Sequence, residues 1–192
     1  MLLGILRQIN WVDILVLLVA VRVCYIAAKR GFFIELFKLL GTVLGMYLAF
    51  HYYTLVSDWV GKRIKIPGMP LDFFDFIFFI ILFLLGYAIF ILLRETFTHL
   101  VKTEVLPKLN AWGGFVLSIG RAVLLSSLII YMLAISSINY LKNSVVTSYS
   151  GKSLFRVSVL AYTTIWDKFM FKFMVKEKLN KTIREVGDDL KI

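Results

Sequence analysis

Asp13, Arg22, Glu35 and Arg121 are ionisable residues set inside apolar stretches of this chain, where charge must be paired or used. A charged side chain at the centre of a bilayer costs at least ~2.5 to 3.5 kcal/mol on insertion scales, so such groups face a bundle interior and find partners. Arg121 lies about 16 Å along its segment from Asn110, and Glu35 about 6 Å from Gly31, at ~1.5 Å per residue. If both segments enter from the same side, two extended side chains bridge that gap. Arg22 approaches the same region from the first segment, with Asp13 beyond it. Together the four form a candidate buried charge cluster with two readings. In one, the arginines snorkel and the carboxylates answer them, which suits the three residues that lie near segment ends. In the other, the cluster moves ions or protons.

Other chemistry is sparse. His51 and His99 stand beside segment ends and share no spacing with a second ligand or a nucleophile, so both read as interfacial side chains. Cys24 is the only cysteine, which excludes an internal disulfide and a cysteine metal cluster. Ser150-Gly151-Lys152-Ser153 looks like the end of a phosphate-binding loop, but Val146 stands where that motif requires glycine. No catalytic constellation and no cofactor site is expected, and the chain reads as a non-enzyme.

The elements that must position the charges are membrane helices. With 60% hydrophobic, 16% aromatic and 18% charged residues, the composition departs from that of soluble domains. Residues 76–93 contain no charge, and 18 residues at ~1.5 Å each cross most of a ~30 Å hydrocarbon core. The expected fold is an all-α integral membrane protein with helices at about 9–28, 32–50, 73–93 and 112–136. Residues 1–138 form the transmembrane domain and 139–192 a basic amphipathic tail. The first apolar stretch is too long for a signal h-region and runs into a second, so it is read as retained. Lys29-Arg30-Gly31 is short enough to make the first two helices an antiparallel hairpin, with glycine at the reversal. Residues 51–72 read as an extramembrane loop, with Pro67, Gly68 and Pro70 as breakers and Tyr52, Tyr53 and Trp59 as interfacial aromatics.

Small residues mark the packing faces. Gly41, Gly45 and Ala49 recur every four positions in the second segment, as do Gly114, Ser118, Ala122 and Ser126 in the fourth. Such stripes let helix backbones approach closely in lipid. At roughly 100° per residue Arg121 falls about 20° from Gly114, which places it on the packed face.

The tail carries a different signal. From residue 165 to 186, Trp166, Phe169 and Phe173 alternate at helical spacing with Lys168, Lys172 and Lys176, as in an amphipathic helix lying on anionic head groups. About half of the net charge of +10 lies beyond Asn139. The large apolar face beside the lysines argues for a membrane surface and against nucleic acid.

Taken in order, several short motifs resemble the colicin V production protein family: Val12-Asp13-Ile14, Lys29-Arg30-Gly31-Phe32 with Glu35-Leu36, Gly45 and Ala49 before His51-Tyr52-Tyr53, and Asn110 before Gly114, Ser118 and Arg121. Asn110 stands where that family usually has aspartate, and Ser118 where it has a second glycine. The resemblance implies a four-helix protein of the bacterial inner membrane connected with colicin V production. Some relatives carry a protease domain outside the membrane after the fourth helix, which implies that both termini lie outside. The function expected on these grounds is that of a scaffold or accessory factor in envelope maintenance or export, partnered by the bilayer and by another copy or another membrane protein. The alternative is a small oligomeric channel or ion-coupled transporter.

Overall fold

The computed structural model describes residues 10–28, 31–63, 70–100, 107–174 and 177–190. Its long helices are α1 (Trp11–Ala28), α2 (Phe32–Arg63), α3 (Leu71–Leu100) and α4 (Pro107–Ala134). The tail adds α5 (Asn139–Thr147), α6 (Gly151–Ile165), a π-helical turn (Trp166–Met170), the single turn α7 (Phe171–Phe173) and α8 (Thr182–Asp189). Every regular element among the described residues is helical. Three stretches, Phe32–Arg63, Asp72–Phe97 and Trp112–Ala134, are long and apolar enough to cross a membrane.

Local chemistry sets the start of α1. The Asn10 side chain accepts from Val12 N at 2.7 Å, and Asp13 reaches back to accept from Asn10 N at 3.0 Å, a reciprocal cap that satisfies otherwise orphaned donors. At the other end of α1, Gly31 takes φ 83°, a left-handed conformation that favours glycine. The chain reverses there, but α1 and α2 do not pack as the expected hairpin. Among the described residues α1 lies against α4, which in turn lies against α2, and α3 covers the far side of α2. The reason is visible at the turn. A side chain at Gly114 of α4 would meet the Gly31 carbonyl carbon at 3.0 Å, so α4 enters beside the turn and takes the space between α1 and α2.

The α2–α3 contact is the most extensive in the fold, and it is made through missing side chains. A Cβ on Gly45 would lie 2.6 Å from the Phe83 carbonyl oxygen, and one on Gly86 would lie 2.6 Å from Gly45 Cα. A Cβ on Gly41 would meet Phe90 Cβ at 2.9 Å, while Ala49 is fully buried. On α4, Gly114, Ser118, Ala122 and Ser126 are also buried.

Of the expected loop at 51–72, residues 51–63 are helix, and 64–69, with Pro67 and Gly68, lie outside the described residues. α2 continues to Arg63 because His51, Tyr53 and Ser57 find partners along it. Tyr53 is buried within the bundle at 1% exposure, and its hydroxyl meets that of Tyr131 at 2.9 Å. α3 likewise extends beyond the expected 73–93. An aromatic cluster closes this end of the bundle, with Phe50 packed 4.4 Å from Tyr131 and 5.3 Å from Phe79, and Tyr131 5.5 Å from Phe155, ring centre to ring centre.

The tail is not one continuous amphipathic helix over 165–186. It turns through the π segment and breaks at Met174, whose φ −111° and ψ 62° are not helical, before α8 begins at Thr182. Burial drives that path. Phe155, Tyr162, Trp166 and Ile183 join the same core as Met46, Phe50 and Tyr131, so the tail folds back onto the bundle.

Candidate functional site

The charged residues anticipated as one cluster occupy three places. Glu35 and Arg121 come together inside the bundle, Asp13 binds the tail at the opposite end, and Arg22 is exposed. Arg22 stands apart because α1 presents that face outward, with Leu18, Val21 and Tyr25 also exposed.

The inner group holds three charges. Glu35 is 0% exposed, with Lys38 Nζ 2.5 Å from Oε1 and Arg121 Nη2 2.8 Å from Oε2. The Lys38 contact follows from i,i+3 spacing on one helix turn. The Arg121 contact is ionic rather than an aligned hydrogen bond, since Oε2 receives no well-directed N–H and Arg121 Nε has no hydrogen-bond partner. Two cations therefore share one carboxylate. Lys38 was visible near the start of the second segment, but only the folded backbone shows it to be 7% exposed and turned inward.

At the other end, Asp13 ties α1 to the tail. Its Oδ1 accepts from Ser150 N at 2.8 Å and Ser150 Oγ at 2.6 Å, and its Oδ2 from Tyr149 N at 3.2 Å. A carboxylate here satisfies free N–H groups at the start of α6. The Ser150-Gly151 pair thus has a structural purpose. A side chain at Gly151 would run into the Val145 carbonyl.

His51, expected at the interface, is 3% exposed and joins α2 to the tail through both ring nitrogens. Nε2 lies 2.7 Å from Glu177 Oε2 and Nδ1 2.8 Å from the Tyr162 hydroxyl. A carboxylate accepts, so Nε2 carries a proton, and in the neutral ring Nδ1 then accepts from the Tyr162 hydroxyl. The Tyr162 oxygen in turn accepts from Asn180 N at 3.2 Å, and burial pushes its hydroxyl up to about 12. Trp166 and Tyr47 stack on the two sides of the imidazole, at 4.9 and 5.3 Å. Asn180 Nδ2 donates to the Phe50 carbonyl at 2.9 Å, and Tyr52 donates to Glu177. Sequence reading could have paired Tyr47 with His51 at i,i+4, but Glu177 lies 126 residues away and left no local sign.

The expected interfacial set divides accordingly. Trp166 is buried at 5% exposure. Phe169 and Phe173 are exposed, as are Lys168 and Lys172. Lys176 lies outside the described residues. Phe171, not singled out beforehand, is 64% exposed beside them.

A helical core crossed by three bilayer-length apolar segments, with its buried charges at one end and a folded-back tail at the other, defines a multi-helix protein of the membrane class. The chain belongs to the family described as colicin V production protein, whose model matches residues 12–159. No curated protein and no solved structure matches it.

Proposed function

We propose that this chain is a non-enzymatic scaffold or accessory factor of the bacterial inner membrane, acting in envelope maintenance or export. In this reading α1 is a fourth span, both termini lie outside, and the exposed Phe169, Phe171 and Phe173 with Lys168 and Lys172 rest on anionic lipid. The observation that carries the proposal is the packed aromatic end of the bundle. About 22 Å along α2 from Glu35, at ~1.5 Å per residue, the rings of Phe50, Phe79 and Tyr131 pack against one another across the described bundle. A transport site needs access from both sides, whereas a scaffold needs a rigid bundle and surfaces for partners. Exposed apolar faces of α1 and α3 supply such surfaces, either to lipid or to another membrane protein or a second copy.

The second reading, a small oligomeric channel or ion-coupled transporter, is favoured by the two cations on Glu35. Reconstitution in liposomes tests between the two. The scaffold reading expects proton and alkali-ion flux no greater than in protein-free vesicles, and flux abolished by Glu35→Gln would overturn it.

A further inference from the structure

Between α6 and α8 runs a groove of about 390 Å³ whose walls are two helix faces. Arg156, Val159, Leu160 and Thr163 line it from α6 at i, i+3, i+4 and i+7, and Arg184, Gly187 and Asp188 from α8 at i, i+3 and i+4. Phe155 and Ile183, both almost fully buried, form its apolar floor. Leu160 is 67% exposed at its edge. Arg156 and Arg184 are exposed, and neither guanidinium has an ion pair or side-chain hydrogen bond to another described residue. Asp188 lines the same groove but is bridged to neither.

The depth of the groove fits a lipid head group. A neighbouring cleft brings Val186 and Asp189 beside Tyr53 of α2, so α8 sits at the level of Tyr53. Tyr53 is about 27 Å along α2 from Glu35 at ~1.5 Å per residue, close to the ~30 Å hydrocarbon thickness. A guanidinium recognises phosphate by directed, charge-assisted hydrogen bonds, and its planar fork matches the oxygens of a phosphodiester head group.

We infer that the α6–α8 groove holds one anionic phospholipid, its phosphate between Arg156 and Arg184 and an acyl chain along Val159, Leu160 and Phe155. This site is separate from the lysine and phenylalanine face at residues 168–173. It rests on the membrane reading of the chain but not on the scaffold role.

The test uses the full chain in detergent, with phosphatidylglycerol added to a phosphatidylcholine background and retained lipid counted by native mass spectrometry. The wild type is expected to retain one phosphatidylglycerol. The double variant Arg156→Gln, Arg184→Gln should bind it at least about tenfold more weakly, on the strength of hydrogen bonds to charged groups. Lys168→Gln with Lys172→Gln should leave the bound lipid in place. Both pairs are exposed, and an unchanged thermal midpoint shows that the fold is kept. Equal retention by the arginine variant would overturn the proposal, as would equal loss in the lysine variant. Inorganic phosphate at millimolar concentration should not displace the lipid. If it does so completely, the groove is a simple anion site and the lipid assignment fails.

Discussion

Replacing Glu35 with glutamine should damage this protein more than replacing Arg121, although both belong to one ion pair. Glu35 is fully buried and is shared by Lys38 at 2.5 Å and Arg121 at 2.8 Å. Removing the carboxylate strips the buried Arg121 of its ion-pair partner and takes one partner from Lys38, whereas removing Arg121 leaves Glu35 still paired with Lys38. Breaking a buried pair costs about 3 to 5 kcal/mol when the survivor is uncompensated. Glu35→Gln falls in that range. Arg121→Met, whose contact lacks an aligned hydrogen bond, should cost about 1 to 2 kcal/mol, in line with an ordinary charged hydrogen bond at its weak end. For a chain of this length each kcal/mol moves a thermal midpoint by about 2 to 4 °C. The glutamine variant should then melt at least about 6 °C lower in detergent, and the methionine variant by only a few degrees. Adding Arg121→Met to Glu35→Gln should recover much of the loss, since the guanidinium that lost its carboxylate is then gone as well. A Glu35→Gln variant as stable as wild type, or Arg121→Met that costs as much as Glu35→Gln, would refute the shared-carboxylate account.

Gly45→Ala places a methyl group 2.6 Å from the Phe83 carbonyl, so it should separate α2 from α3 and cost about 1 to 3 kcal/mol by thermal unfolding. Asp13→Ala leaves the N–H groups of Asn10, Tyr149 and Ser150 without their carboxylate acceptor, at about 0.5 to 2 kcal/mol as for a lost helix cap, and hydrogen exchange at residues 149 and 150 should quicken. His51→Leu removes both the Glu177 and Tyr162 contacts and should make the stretch before α8 sensitive to limited proteolysis, while the α2–α3 pair stays protected. The Tyr162 hydroxyl is held by burial at about 12 against an ordinary value of 10, so its neutral form is favoured in the folded chain. Its stabilising share is complete below pH 10 and is lost as pH rises towards 12. Tyr162→Phe should therefore flatten the alkaline arm of the stability profile.

Sequence patterns revealed what local periodicity carries and missed what distance conceals. The apolar run at 76–93 and the glycines at 41 and 45 lie on the helix and the contact that their spacing indicates. Helix ends were harder, because α2 runs on past His51 on the strength of partners supplied by α3, α4 and the tail. Breakers at 67, 68 and 70 and aromatics at 52, 53 and 59 made residues 51–72 resemble an interfacial loop, although 51–63 is helix. Trp166 shows the same difficulty in the tail. Its spacing from Phe169 and Phe173 gives one amphipathic face, but stacking on His51 buries the indole while the two phenylalanines stay exposed. Nothing in a linear pattern tells those rings apart.

The limits of the family match divide the tail's attachments into two kinds. Asp13, Ser150 and Phe155 lie within residues 12–159, so the carboxylate clamp on α6 and the Phe155–Tyr131 contact belong to the matched region. Tyr162, Trp166, Glu177 and Asn180 lie beyond it, although their receptors His51 and Phe50 lie inside. The first set anchors α6 through one buried ring and a capped helix start, which is enough to fix its direction. The second set adds hydrogen bonds through one imidazole and one amide, with Glu177 half-exposed to solvent. The Glu177 bonds to Tyr52 are exposed and those of Asn180 only part-buried, and such bonds open at lower free energy than the packed core. Hydrogen exchange should accordingly fall into two tiers, with residues 177–190 opening before α6 leaves Tyr131, and α8 is the element best placed to change position while the bundle beneath it stays closed.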